Sequence, residues 1–218
     1  MGLGIIAFST IKEPVKFNIK NREKNFRTYL KNSSKLLKED TVLKDLILSQ
    51  LLSYSYLLVL PFIIIDAAKS IELSGAVLGL LVSLQMSGAM LSNIVWGRLA
   101  YNEKNGLVIV YAYLSAIVAI FIALSANEIW HYSVLFFLIG GAMDGFRLAY
   151  NNLIIMIVSD ENRPVYLALQ ANLTSIGLFF SIPGGLIVIL VGFDYLAMIS
   201  ICALIIGAVL SYKRSAHL

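Results

Sequence analysis

Six stretches of this chain carry almost no charged side chains, and each is long enough to cross a lipid bilayer. They are residues 46–65, 73–97, 106–127, 130–159, 165–191 and 195–212. About 20 apolar residues in a helix, rising about 1.5 Å each, span the hydrocarbon core of a bilayer. Because 59% of the residues are hydrophobic and only 14% are charged, no polar domain remains to fold in water. We therefore expect an all-α membrane protein with six transmembrane helices, embedded in the lipid bilayer.

Lysine and arginine predict the orientation of these helices. Ten of the 17 precede the first span, and with alternating spans five more fall on the same side. The opposite loops hold only Lys69, and Arg147 lies inside a span. Since basic residues favour the cytoplasmic side, we expect a multi-pass protein of the cytoplasmic membrane with both termini inside.

The charge pattern also predicts the domain organisation. Residues 1–10 form an apolar stub too short to span, and residues 11–45 form a basic cytoplasmic linker. The transmembrane domain covers 46–212, and 213–218 form a cytoplasmic tail. Within the linker, Asn25–Lys38 is interpreted either as a solvated segment or as an amphipathic helix on the membrane surface.

Several functional classes are disfavoured by the sequence. The single cysteine closes no internal disulfide, and the two histidines lie in separate regions, so we expect neither a cofactor nor a metal site. No phosphate-binding Gly-x-x-x-x-Gly-Lys-Ser/Thr motif is present. The basic segment lacks aromatic residues placed to stack bases, so no nucleic-acid partner is expected. We therefore predict that the protein is not an enzyme.

The six spans divide into two groups of three. The second and fifth spans occupy matching positions and are the richest in small and polar residues, which allow close helix packing in lipid. An odd number of spans per group gives the two groups opposite orientations, and such inverted repeats are a known transporter construction. Helix bending or packing roles are predicted for Pro61, Pro183, Gly184 and Gly185.

Two ionisable residues lie deep within the fourth span. Asp144 and Arg147 are three positions apart, so they share a helix face and can pair. Gly140 and Asn151 extend the same face. Each charge costs roughly 2.5–3.5 kcal/mol at a span centre, so this face is expected to meet protein or water. The pair either only locks helix packing or forms a substrate-binding or proton-coupling site.

Polar residues of other spans are predicted at similar depth. Gln85 in the second span and Tyr54 in the first approach the midplane, and Gln50 is shallower. Secondary transporters bind substrate near the midplane. For each of these three residues, a hydrogen bond between helices is an equally good interpretation.

Four segments resemble motifs of one transporter family. Ile11–Pro14 resembles the end of that family's sixth helix, and Asp160–Asn172 resembles the loop leading into its eleventh. Gly97–Ala100, followed by Gly106, resembles its loop motif G-x-L-A-D-R-x-G. Ser181–Gly185 resembles a Gly-Pro-x-x-Gly-Gly bend. Together they resemble the C-terminal half of a major facilitator superfamily transporter.

The loop motif departs from the family pattern. Gly97, Leu99 and Ala100 match it with Arg98 at its variable position, but Tyr101 and Asn102 replace its Asp and Arg. A gating role for this loop would therefore lack the acidic and the basic side chain of the family motif.

The resemblance implies that the spans are helices seven to twelve of such a transporter, with the first and fourth lining a central cavity. It further implies one half of a secondary active transporter that moves a small solute by alternating access, with proton coupling through Asp144 as one option. The partner would be a second six-helix half or another copy of the chain. The alternative is a non-transporting membrane assembly subunit or an inactive remnant of a split or truncated transporter.

Overall fold

The structure, a computed structural model, describes residues 40–160 and 162–215. The predicted stub, the linker up to residue 39 with its Asn25–Lys38 segment, and residues 216–218 of the tail lie outside the described residues. In the described part, the chain is helical with no strand. Six helical spans are long and apolar enough to cross a membrane, which confirms the all-α, six-span architecture.

The six spans comprise eight α-helices and one 3₁₀ segment. The first span is α1 (Thr41–Ser53) and α2 (Tyr56–Ala67), the second α3 (Gly75–Tyr101), the third α4 (Asn105–Ala123) and the fourth α5 (Ile129–Ile157). The fifth is α6 (Arg163–Thr174), a 3₁₀ segment (Ser175–Phe180) and α7 (Ser181–Val191), and the sixth is α8 (Phe193–Ser215). The first span therefore begins five residues earlier than the uncharged run suggested, because a capped polar turn precedes it.

Local capping explains where three of the spans begin. The Asp40 carboxylate accepts a hydrogen bond from the Leu43 backbone N–H at 2.9 Å, and Ser74 Oγ accepts from Val77 N–H at 3.3 Å. A reciprocal capping box between Glu128 and His131 opens the fourth span. These side chains bind N–H groups that a helix start leaves without partners.

The packing of the spans has an internal symmetry. The first span packs against the fifth and sixth, and the fourth packs against the second and third. The third and sixth spans contact each other and join the two sets. Each group of three thus places its first helix against the last two helices of the other group, as a three-plus-three repeat requires.

The second and fourth spans approach each other closely at two glycines. A Cβ atom on Gly88 would collide with the Phe137 carbonyl, and one on Gly140 would collide with the Gln85 carbonyl. By contrast, Gly75 and Gly79 face open space. Only part of the small-residue pattern of the second span therefore serves this helix contact.

The first and fifth spans are interrupted where they meet. A turn at Tyr54–Ser55 separates α1 from α2, whereas α2 runs through Pro61 without a break. In the fifth span, the 3₁₀ segment ends three residues before Pro183, which has no N–H for a helical bond to Phe179. Next to Pro183, Gly184 lies against the Leu58 carbonyl of the first span.

Candidate functional site

Asp144 and Arg147 form an ion pair near the middle of the fourth span. Arg147 Nη2 lies 2.8 Å from Asp144 Oδ1, as their spacing predicts. The two side chains differ in exposure: that of Asp144 is 18% exposed and that of Arg147 is 72% exposed. The carboxylate is therefore held within the bundle, and the guanidinium emerges from it.

Asn93 of the second span holds the other oxygen of the carboxylate. Its Nδ2 donates to Asp144 Oδ2 at 2.7 Å. Sequence reasoning did not single out Asn93, although an amide within an uncharged run was an available signal. Asp144 thus has a partner for each carboxylate oxygen, one from its own helix and one from a neighbouring helix.

Gln85 lies on the same second span, beside the fourth. Its Nε2 donates to the Met143 sulfur at 3.1 Å, and a thioether is a weak acceptor. The carbonyl of Gln85 lies at the close crossing with Gly140. Gln85 is therefore fixed through its backbone, while its side chain makes only a weak bond.

Gln50 and Tyr54 occupy the first span opposite the fifth. Gln50 Oε1 accepts a hydrogen bond from Gln170 Nε2 at 2.7 Å, and both side chains are buried. The Tyr54 ring lies against Gly177 of the 3₁₀ segment. Gln170 was not predicted, since nothing in its local sequence indicates a partner 120 residues away.

Two adjoining grooves follow this face of the bundle. The first, named here the Asn151 groove, has a volume of about 520 Å³. Its lining comprises Gln50, Tyr54, Arg147, Asn151, Ile155, Leu167, Gln170, Ala171, Thr174, Ser175 and Leu178.

The second groove, named here the Gln85 groove, has a volume of about 490 Å³. Its lining comprises Gln50, Ser53, Tyr54, Tyr56, Gln85, Met86, Ala89, Gly140, Met143, Asp144, Phe146, Arg147 and Leu178. Arg147 lines both grooves, as do Gln50 and Tyr54.

The structure thus brings the six residues singled out for substrate or proton coupling to one surface. They are Gln50, Tyr54, Gln85, Asp144, Arg147 and Asn151. The surface offers amide, hydroxyl and guanidinium groups beside apolar walls, an arrangement suited to binding a small polar solute.

The remaining predicted residues lie elsewhere. Pro61, Pro183, Gly184 and Gly185 line neither groove. Gly97 and Arg98 are exposed near the end of α3, before a chain reversal at which Glu103 has φ of 58°. Among the described residues, no group of three His, Cys, Asp or Glu side chains is placed to hold a metal ion.

A buried hydroxyl cluster joins four spans. Tyr150 Oη lies 2.9 Å from Ser49 Oγ and 3.2 Å from both Tyr113 Oη and Ser211 Oγ. Tyr113 Oη also donates to the Ser49 carbonyl at 2.5 Å. The cluster links the first, third, fourth and sixth spans and so supports the helices that carry the grooves. The sequence analysis did not identify it, because four separate spans contribute to it.

Comparison with known proteins identifies the family. Residues 46–217 match the family model described as Major Facilitator Superfamily. A search of curated proteins finds no significant match. The matched region covers well over half of the chain, with the last five spans in full and the first span from residue 46 onward. The chain therefore belongs to the Major Facilitator Superfamily.

Proposed function

We propose that this chain is one half of a secondary active transporter that moves a small solute across the cytoplasmic membrane by alternating access. Membership of the family supports a transporter of the major facilitator type. The concentration of lysine and arginine on one side of the spans supports cytoplasmic termini.

The position of Arg147 carries this proposal. Its side chain is 72% exposed near the middle of a membrane span, and an exposed charge facing hydrocarbon is unfavourable by several kcal/mol. The two grooves around it therefore face water or another protein. A polar surface at mid-depth is where secondary transporters bind substrate.

The open side of the two grooves supports a partner on this face. Large apolar side chains stand exposed beside them, including Met86 and Met90 on the second span and Leu178 and Ile182 on the fifth. We propose that a second six-helix half, or another copy of this chain, covers this face. A cavity between the two halves would then be exposed to each side of the membrane in turn.

Asp144 is the proposed proton-coupling group. Its negative charge is balanced by Arg147, and its second oxygen accepts a hydrogen bond from Asn93. When substrate draws Arg147 away, the carboxylate loses its cation, and we propose that a proton then takes the place of that cation as the partner of the carboxylate. Substrate binding and proton uptake would thereby be linked.

Neutral side chains would orient the substrate. Tyr54 and Asn151 border the Asn151 groove, and Gln85 borders the Gln85 groove. Gln50 uses its carbonyl oxygen toward Gln170, so its amide N–H groups are the donors it offers to a solute.

Transport assays test these roles. The chain, alone and together with a candidate six-span partner, is reconstituted in proteoliposomes with an imposed pH gradient, and uptake of a panel of small radiolabelled solutes is measured. Wild type is expected to accumulate one solute class. Asp144→Asn is expected to retain solute exchange at equilibrium and to lose accumulation driven by the gradient.

The matched control is Asp160→Asn, the same chemical change at an exposed carboxylate that lines neither groove. Normal accumulation by Asp144→Asn would reject the coupling role. If no combination moves any solute and a stable complex with an unrelated membrane protein is found instead, the protein is a non-transporting assembly subunit.

A further inference from the structure

The Arg147 guanidinium has N–H donors beyond those that face Asp144. Of its three nitrogens, Nη2 is engaged with Asp144. A guanidinium carries five N–H donors in a planar fork. Because the side chain is 72% exposed and lines both grooves, donors on Nε and Nη1 are available to a ligand.

Asp144 is placed differently. Its two oxygens accept from Asn93 and pair with Arg147, and its side chain is only 18% exposed. It lines the Gln85 groove and not the Asn151 groove. A cationic ligand in the Asn151 groove would therefore meet the guanidinium before it met the carboxylate.

The charged group that borders the Asn151 groove is a cation. Among the described residues that line it, Arg147 is the only charged one, and its polar neighbours are neutral amides and hydroxyls. Ile155, Leu167 and Leu178 add apolar wall. The volume of about 520 Å³ suits a small organic molecule.

We propose that the Asn151 groove binds a small organic anion whose carboxylate or phosphoryl group is held by Arg147. The inference rests on the proposed transport site and assigns its substrate class. Two parallel N–H···O bonds from a guanidinium match the geometry of carboxylate and phosphate oxygens. A neutral solute would offer the exposed donors no charged partner, and a cation in this groove would lie beside the guanidinium and not beside the carboxylate.

Chemical protection of the unmodified chain tests the proposal. The protein in lipid nanodiscs is treated with p-hydroxyphenylglyoxal, which modifies arginine, and labelling of each arginine is followed by peptide mass spectrometry. The competitors are succinate for a carboxylate, glycerol 3-phosphate for a phosphoryl group, choline for a cation and glycerol for a neutral solute, all at equal ionic strength. Labelling of the exposed Arg98 is the internal reference.

Succinate or glycerol 3-phosphate is expected to slow the labelling of Arg147 and leave that of Arg98 unchanged. A competitor at ten times its dissociation constant leaves about one site in eleven free, which slows labelling about tenfold. The anion that protects identifies the group recognised. Protection by choline or glycerol equal to that by the anions, or no protection by either anion, would overturn the proposal.

A second measurement uses variants. The shift in thermal unfolding temperature produced by the protecting anion is recorded for Arg147→Gln, Arg147→Lys and the control Lys104→Gln, which removes an exposed cation outside both grooves. The control is expected to keep the shift and Arg147→Gln to lose it. Arg147→Lys keeps the charge without the planar fork, so its affinity is expected to fall about tenfold. An unchanged shift in Arg147→Gln contradicts the proposal.

These measurements separate anion binding from transport. Protection of Arg147 without solute movement in any reconstituted combination would support the anion-binding proposal and reject the proposed transport function. Transport of neutral or cationic solutes with no protection by either anion would keep the transporter and reject the anion site.

Discussion

The ring of Tyr54 lies against Gly177, at the place where the first and fifth spans both lose regular α-helical geometry. A Cβ atom added to Gly177 would lie 2.7 Å from the Cβ, Cγ and Cδ2 atoms of Tyr54. The turn at Tyr54–Ser55 and the 3₁₀ segment Ser175–Phe180 therefore depend on each other's shape. On the first span, the Ser55 carbonyl accepts a hydrogen bond from Ser200 Oγ at 2.6 Å.

Gly177→Ala tests this contact. The added methyl group would displace the Tyr54 side chain, and overpacking of this kind costs about 1–3 kcal/mol of stability. Thermal unfolding in detergent measures the loss. The control is Gly79→Ala, because a Cβ atom added to Gly79 would have no neighbour within 4 Å and alanine favours helix. Equal unfolding temperatures for the two variants would contradict this, because they would show that Tyr54 moves aside for the added methyl group without loss of stability.

Gly140→Ala is expected to disturb the crossing of the second and fourth spans. Its methyl group would meet the backbone carbonyl of Gln85, which cannot rotate away as a side chain can. We expect a loss of at least about 2 kcal/mol and a lower yield of folded protein. Gly75→Ala, with open space around it, is the matched control. Wild-type stability in Gly140→Ala would mean that the helices separate at little cost.

The buried bond between Gln50 and Gln170 is expected to show coupling in a double-mutant cycle. Replacing Gln170 alone by leucine leaves the buried Gln50 carbonyl oxygen without its donor. Hydrogen bonds between membrane helices contribute about 0.6 kcal/mol on average and up to about 1.7. We expect Gln50→Leu and Gln170→Leu each to destabilise, and the double variant to lose less than the sum. Strictly additive losses would show that the two amides do not interact.

Tyr150→Phe is expected to weaken the cluster of buried hydroxyls. Removing Tyr150 Oη takes a partner from Ser49, Tyr113 and Ser211. We expect a loss of about 1–2 kcal/mol, measured as a shift in unfolding temperature. Tyr101→Phe provides the control, because Tyr101 is 89% exposed. Matching unfolding temperatures would imply that the remaining hydroxyls pair among themselves.

The sequence by itself determined those features that depend on local geometry. An uncharged run predicts a span when its length, at the rise per residue of a helix, matches the thickness of the bilayer. Six such spans are present. Helix periodicity likewise places Asp144 and Arg147 on one face, and they pair at 2.8 Å. Neither result needs information about which helices are neighbours.

Only the tertiary structure decided which partners these residues have. Asn93 was not recognised as the second partner of Asp144, nor Gln170 as that of Gln50. The sequence also could not distinguish the tightly packed Gly88 and Gly140 from glycines in open space. The physical reason is that spans in lipid are apolar on nearly every face, so hydrophobic periodicity does not mark the buried side. Close backbone approach and scattered hydrogen bonds choose the neighbours instead, and these appear only once the six helices are packed.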